Sequence, residues 1–168
     1  MPTELPDVLN ALQAADRKQT VNRLYAPASF TRLEGLLQST DGELSMNLGF
    51  RRDRNNRVLL SGDVGGQITV QCQRCLGPVL LQLDLPLELV LAERNGSDSE
   101  AIAGRETYRC DPLKLELDAL VEEEILLGMP LVAMHKDGNE DCRKISEQSA
   151  AGDVQQPFAE LKNLNSRG

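Results

Sequence analysis

Between residues 43 and 92 apolar and polar residues alternate with a period of two. Leu44, Met46, Leu48 and Phe50 interleave with Ser45, Asn47 and Gly49. That spacing predicts a strand with one buried face, because successive side chains point to opposite sides of a sheet. The polar run RRDRNNR at 51–57 reads as the turn that follows, and Val58 to Leu60 begin a second strand. Gly62, Gly65 and Gly66 read as a bulge or bend within it, before Ile68, Val70 and Cys72 resume the alternation. From Val79 the odd positions Leu81, Leu83, Leu85, Leu87, Leu89 and Leu91 are apolar, while the even ones include Gln82, Asp84, Pro86 and Glu88. Pro86 has no N–H to give to a ladder, so this strand is expected at an edge or kinked there. Three or four antiparallel strands in a meander follow from the pattern.

The period changes near residue 116. With Leu117 at 0° and 100° per residue, Leu120, Val121, Ile125 and Leu127 fall within about 80° of it. A helix over 116–128 is expected, ended by Met129-Pro130. Glu122 and Glu123 point away from the stripe, whereas Glu124 lands in its middle. A carboxylate there must be paired, hydrogen-bonded or neutral, and Arg74 is one candidate partner. Pro27 and a capping Ser29 predict a second, short helix with Phe30, Leu33, Leu36 and Leu37 on one side. Asp41-Gly42 is a turn signal. Residues 1–26 read as an arm or a leading strand, 94–106 as a polar loop, and 136–157 as a polar segment rich in Gln, Ser and Glu. PFAELKNL at 157–164 is a last short amphipathic piece. The fold class is α+β: an antiparallel β-meander sheet with one main C-terminal helix packed on it and flexible terminal segments. The expected organisation is an N-terminal arm at 1–26, a core domain at 27–135 and a polar, flexible tail at 136–168.

Composition narrows the function classes. Aromatic residues make up 3% of the 168, with no Trp, so Leu, Val and Ile must build the core. The formal charge is −8 and the pI about 4.7, which excludes a basic coat for nucleic acid. The charge is uneven: residues 1–80 carry 9 basic and 8 acidic residues, and 81–168 carry 9 and 18. Two faces with different partners, or simply an acidic solvated tail, would give this asymmetry. No apolar stretch approaches the roughly 20 residues of a membrane helix, and the first twenty residues lack the apolar run of a secretory signal. A cytoplasmic location is expected, with the four cysteines reduced.

Three features could carry chemistry. Cys72-Gln-Arg-Cys75 between two strands is half of a zinc knuckle, because two thiolates at this spacing take adjacent corners of a tetrahedron. The other half would come from His135 and Cys142, or from Cys110 and Cys142. The competing reading is four reduced thiols serving as small hydrophobes. A redox role would need the pair at a helix N-terminus in a βαβ setting, which the pattern does not offer. Arg51, Arg52, Arg54 and Arg57 could grip phosphates bidentately, or could be the solvated turn any hairpin needs. Glu124 has no second polar group with which to form a catalytic pair. His135 has no Ser, Cys and Asp constellation around it, and no phosphate-binding, dinucleotide, zincin or nucleophile-elbow motif is present. No enzyme is expected, and no small-molecule substrate or membrane partner.

Three segments in this order resemble the YceD family of bacterial large ribosomal RNA subunit accumulation proteins. They are VQCQRCLGPV (70–79), LDALVEEEILLGMPLVAMH with Cys142 (117–142), and PFAELKNL (157–164). The agreement runs from about residue 20 to 164. Cys72, Cys75, the acidic run ending at Glu124, Pro130, His135 and Cys142 fall on the family's pattern, and Cys110 does not. The resemblance therefore favours Cys72, Cys75, His135 and Cys142 as the ligands of any metal, with Zn²⁺ allowed but not demanded. The ending NLNSRG is less basic than the family's usual end. The resemblance implies a non-enzymatic factor for synthesis, processing or stability of 23S rRNA. The implied partner is that RNA or its precursor, or a large-subunit ribosomal protein or assembly factor. The alternative is a zinc-stabilised protein-interaction adaptor without RNA contact.

Overall fold

The computed structural model describes residues 8–94, 106–136, 139, 140, 142 and 144. Residues 95–105 of the expected loop at 94–106 and most of the expected tail, 157–164 included, lie outside the described residues. The elements in chain order are β1 (Val8–Leu9), α1 (Ala11–Asp16), β2 (Thr20–Tyr25), β3 (Leu37–Ser39), β4 (Leu44–Arg52), β5 (Val58–Gln71), β6 (Pro78–Glu93), β7 (Glu106–Cys110), β8 (Leu115–Glu116) and α2 (Leu117–Gly128).

The alternation expected between 43 and 92 is what builds the sheet. β4 pairs antiparallel with β5 from Leu44↔Gly66 to Arg52↔Val58, and β5 pairs with β6 from Leu59↔Val90 to Gln71↔Pro78. Val79, Leu83, Leu87, Leu89 and Leu91 of β6 are buried, while Gln82, Asp84, Pro86 and Glu88 are exposed. The six-stranded sheet runs β2-β4-β5-β6-β7, and β3 pairs with β5. Its last pair is parallel: β7 lies along Leu89–Glu93 of β6. The period-two pattern carries no information on strand direction, so the meander expectation missed this. β1 and β8 form a separate antiparallel pair that brings residues 8–9 against 115–116.

Pro86 lies opposite Asp63 of β5 in a stretch of β6 that β7 does not reach, since the β6–β7 pairing starts at Leu89↔Glu106. The three glycines of β5 make no bulge, because the β4–β5 register is continuous through Gly62, Gly65 and Gly66. They serve close approach instead. A Cβ on Gly62 would lie 1.9 Å from the Asn47 carbonyl oxygen, and one on Gly66 would lie 2.3 Å from that of Glu43.

The helix expected after Pro27 does not form. Pro27–Ser29 is a 3-10 turn, and i→i+3 bonds from Leu33 N–H to Phe30 O and from Leu36 N–H to Leu33 O continue as turns up to β3. Phe30 and Leu33 are buried nonetheless, so core placement holds these residues without a helix. Of the arm and the leading strand weighed for the first 26 residues, the described part contains a strand, β2, paired to β4 and preceded by α1. Ala11, Ala14, Ala15 and Val21 are buried there.

α2 matches its expected span and buries Leu117, Leu120, Val121 and Ile125. Leu127, at the rim of the stripe, is 67% exposed. The helix packs on β5 and β6, its C-terminal Gly128 against the Leu85 side chain. Arg23 of β2 donates from Nη1 to Asp118 Oδ1 at 2.8 Å, which clasps the first turn of α2 to the sheet edge.

Candidate metal centre

The β5–β6 connection begins one residue after β5 ends. Cys72 N–H donates to Gly77 O at 2.8 Å and Leu76 N–H to Cys72 O at 2.9 Å, which folds Cys72–Gly77 into a tight knuckle. Leu76 takes a left-handed conformation, φ 62°, to close it. After α2, Pro130 stops the helix and the chain turns back along the knuckle. Gln73 N–H donates to Ala133 O at 2.9 Å, and this register delivers His135 to Cys75. Asn139 Oδ1 accepts from Cys142 N–H at 2.8 Å and fixes Cys142 beneath Cys72.

Four candidate ligand atoms thereby converge. The thiols of Cys72, Cys75 and Cys142 and a ring nitrogen of His135 lie within 4.8 Å of one another. Cys72 Sγ and Cys142 Sγ are 3.8 Å apart, and Cys75 Sγ and His135 Nδ1 are 3.4 Å apart. A tetrahedral Zn²⁺ with bonds of about 2.3 Å to sulfur and about 2.0 Å to nitrogen requires edges of about 3.8 Å and about 3.5 Å. The residues fit the ion. His135 Nε2 lies 2.9 Å from Pro78 O, so Nε2–H donates there and Nδ1 keeps its lone pair for a metal. Cys72 and Cys142 are buried, and Cys75 and His135 are partly accessible.

The electrostatics favour a thiolate at Cys72. Burial pushes the Cys72 thiol up, but N–H groups of Cys75, Arg74 and His135 outweigh it and pull Cys72 down to about 5. Arg74 Nε donates to Cys142 Sγ at 3.0 Å. The Gly77 N–H favours a Cys75 thiolate, yet burial and the neighbouring thiols Cys142 and Cys72 hold its pKa above the usual value. His135 is raised by Cys142 first, against a desolvation that lowers it.

Cys110, the other cysteine weighed as a ligand, is buried in β7 away from the cluster, and burial pushes its thiol up to about 11. Glu124 is half-buried, and its pKa is raised by burial and then by Glu106 and Glu123. It faces other carboxylates, not a catalytic partner.

The four arginines share the β4–β5 hairpin. Asp53 organises its turn by accepting from the N–H groups of Asn55 and Arg57 and from Arg57 Nε at 2.8 Å. Arg52 Nε binds Asp16 at the end of α1, and Arg52 Nη1 donates to Asn56 O at 3.0 Å. Arg51 Nη2 is 3.7 Å from Glu88. Arg54 is exposed and has no polar partner among the described residues. Arg74, Asn139 and the Pro78 carbonyl escape a sequence reading. Their roles depend on the chain after α2 returning to the knuckle.

The fold and the four-donor centre define a small α+β protein whose knuckle joins the end of a long hairpin to the chain beyond its main helix. The chain belongs to the YceD family, the model for "Large ribosomal RNA subunit accumulation protein YceD" matching residues 60–165. That span contains all four candidate ligands. It is similar over 98% of both chains, at 24% identity across 173 residues, to the Large ribosomal RNA subunit accumulation protein YceD of Haemophilus influenzae. No solved structure matches. No helix among the described residues is long and apolar enough to cross a membrane.

Proposed function

We propose that this protein is a non-enzymatic factor that promotes accumulation of 23S rRNA in the cytoplasm. Its means is binding to that RNA, its precursor or an early large-subunit particle. The observation that carries the non-enzymatic part is the closed centre. Cys72, Cys75, His135 and Cys142 would fill all four positions of a tetrahedral Zn²⁺, whereas catalytic zinc keeps one position for water or substrate. The ion would supply folding free energy, and the knuckle would hold the chain after α2 against β5 and β6. The β4–β5 hairpin that carries Arg51, Arg52, Arg54 and Arg57 is the candidate RNA-contacting region. Glu124 serves structure rather than catalysis.

Depletion of the protein lowers the ratio of 23S to 16S rRNA, and the wild-type gene restores it. Native mass spectrometry finds one zinc per chain. Cys72→Ser and Cys142→Ser lose it, while Cys110→Ser keeps it. A normal rRNA ratio on depletion removes the accumulation role, and a metal-free wild-type chain removes the centre.

The adaptor reading is favoured by one observation. Leu131 is 97% exposed, and Val132 and Met134 are about half exposed, beside the knuckle. An apolar run of this kind suits a protein partner. Co-purifying proteins that survive nuclease treatment, with no RNA crosslinked to the wild-type chain, would decide for it.

A further inference from the structure

The turn between α1 and β2 and the β4–β5 hairpin form one basic surface. β2 pairs with β4 from Tyr25↔Leu44 to Thr20↔Gly49, and Phe50 N–H donates to Gln19 O at 2.9 Å. The ladder therefore carries Arg17 and Lys18 to the side of Arg51 and Arg52, although 33 residues separate Lys18 from Arg51 in sequence. The Arg52–Asp16 pair ties the hairpin to the end of α1. Six cations, Arg17, Lys18, Arg51, Arg52, Arg54 and Arg57, stand on the two segments at this end of the sheet, and three carboxylates, Asp16, Asp53 and Glu88, pair with Arg52, Arg57 and Arg51 from α1, the hairpin turn and β6. The excess of three positive charges stands on a chain of net charge −8.

The cations divide into two sets. Arg51, Arg52 and Arg57 engage the carboxylates. Arg17, Lys18 and Arg54 are exposed and have no charged partner among the described residues. Lys18, where α1 ends, holds a φ of 51°, and Asn56 in the hairpin turn a φ of 62°. Left-handed positions favour glycine or asparagine, so a lysine there accepts a backbone cost. That cost is understandable if the ammonium group is needed at this spot.

We propose that Arg17, Lys18 and Arg54 grip the phosphate backbone of RNA, while the paired arginines Arg51, Arg52 and Arg57 hold the platform rigid. This rests on the accumulation reading and names its contact surface. Recognition is local and sequence-independent, since guanidinium and ammonium groups read phosphates and not base edges. The acidic remainder of the chain repels RNA elsewhere and confines contact to this edge.

The test measures binding of the full chain to an in-vitro transcript of 23S rRNA across a salt series. Three contacts to single-stranded RNA give a log–log salt slope of about −2. The Arg17→Glu, Lys18→Glu, Arg54→Glu variant loses at least about tenfold in affinity and most of that slope. Arg109→Glu with Lys114→Glu, exposed elsewhere, changes neither. Lys18→Gly suits the left-handed backbone, so it keeps or raises the thermal midpoint while weakening binding a few-fold. Unchanged affinity and slope in the folded triple variant overturn the proposal. So does a wild-type chain that restores the 23S to 16S ratio in depleted cells yet binds no transcript. That second outcome leaves the accumulation reading standing.

Discussion

Glu124 is a carboxylate whose surroundings oppose its charge. Burial comes first, and Glu106 and Glu123 add to it, so its folded pKa lies above the ordinary carboxylate value of 4.5. A raised folded pKa means that the stabilising contribution is fully present below the unfolded value. It is lost as pH rises through the folded one. Glu124→Gln therefore raises the thermal midpoint at pH 7 relative to the wild type, and the difference closes below about pH 4. Melting curves at the two pH values check this, and a variant less stable at pH 7 would show that Glu124 has an unrecognised partner. The helical wheel sets Glu124 apart from Glu122 and Glu123, yet all three are of intermediate burial. It gives no information on Glu106, which reaches the helix only because β7 lies parallel along β6.

At the scale of elements, the β4–β5 pair depends on glycine for a reason that concerns its neighbour strand. At Gly62 the Asn47 carbonyl occupies the space of a side chain. Gly62→Ala must push β4 away from β5 over a long ladder, and it destabilises the protein by about 3 kcal/mol or more. Gly65→Ala, with its nearest neighbour at 3.5 Å, is tolerated far better. Urea denaturation of the two variants checks the contrast, and equal losses would sink the close-approach account. The alternation from 43 to 92 made these strands legible because one face is dry and the other wet. The turns of 27–36 were misread as a helix because Phe30 and Leu33 have helical spacing. Their burial fixes them equally well in i→i+3 turns.

At the scale of the molecule, the candidate metal centre joins two distant stretches, residues 72–78 and 133–142. Polar links described there include Gln73 to Ala133, Gln73 to Leu131, Arg74 to Cys142 and His135 to Pro78. On the proposal that the centre holds Zn²⁺, chelation lowers the thermal midpoint by on the order of 10 °C, given the several kcal/mol a structural zinc supplies and about 2–4 °C per kcal/mol at this size. It also opens amides of 72–78 and 130–142 to hydrogen exchange, while the β4–β5 ladder stays protected. Uniform loss of protection would mean that the centre is integral to the sheet and not a clasp on it. The sequence by itself determined the strands of the hairpin sheet, the span of α2, the leucine face between them and the candidate cysteine pair. Each is a local matter of period, of turn chemistry or of two ligands three residues apart. Tertiary structure alone brought His135 and Cys142, which the resemblance had implied, within reach of the cysteine pair, set β7 parallel, and placed Arg17 and Lys18 beside the arginine hairpin. Those outcomes depend on strand order and on where the chain returns after Pro130. Both are fixed by the collective burial of one apolar face and leave no periodic trace in the chain.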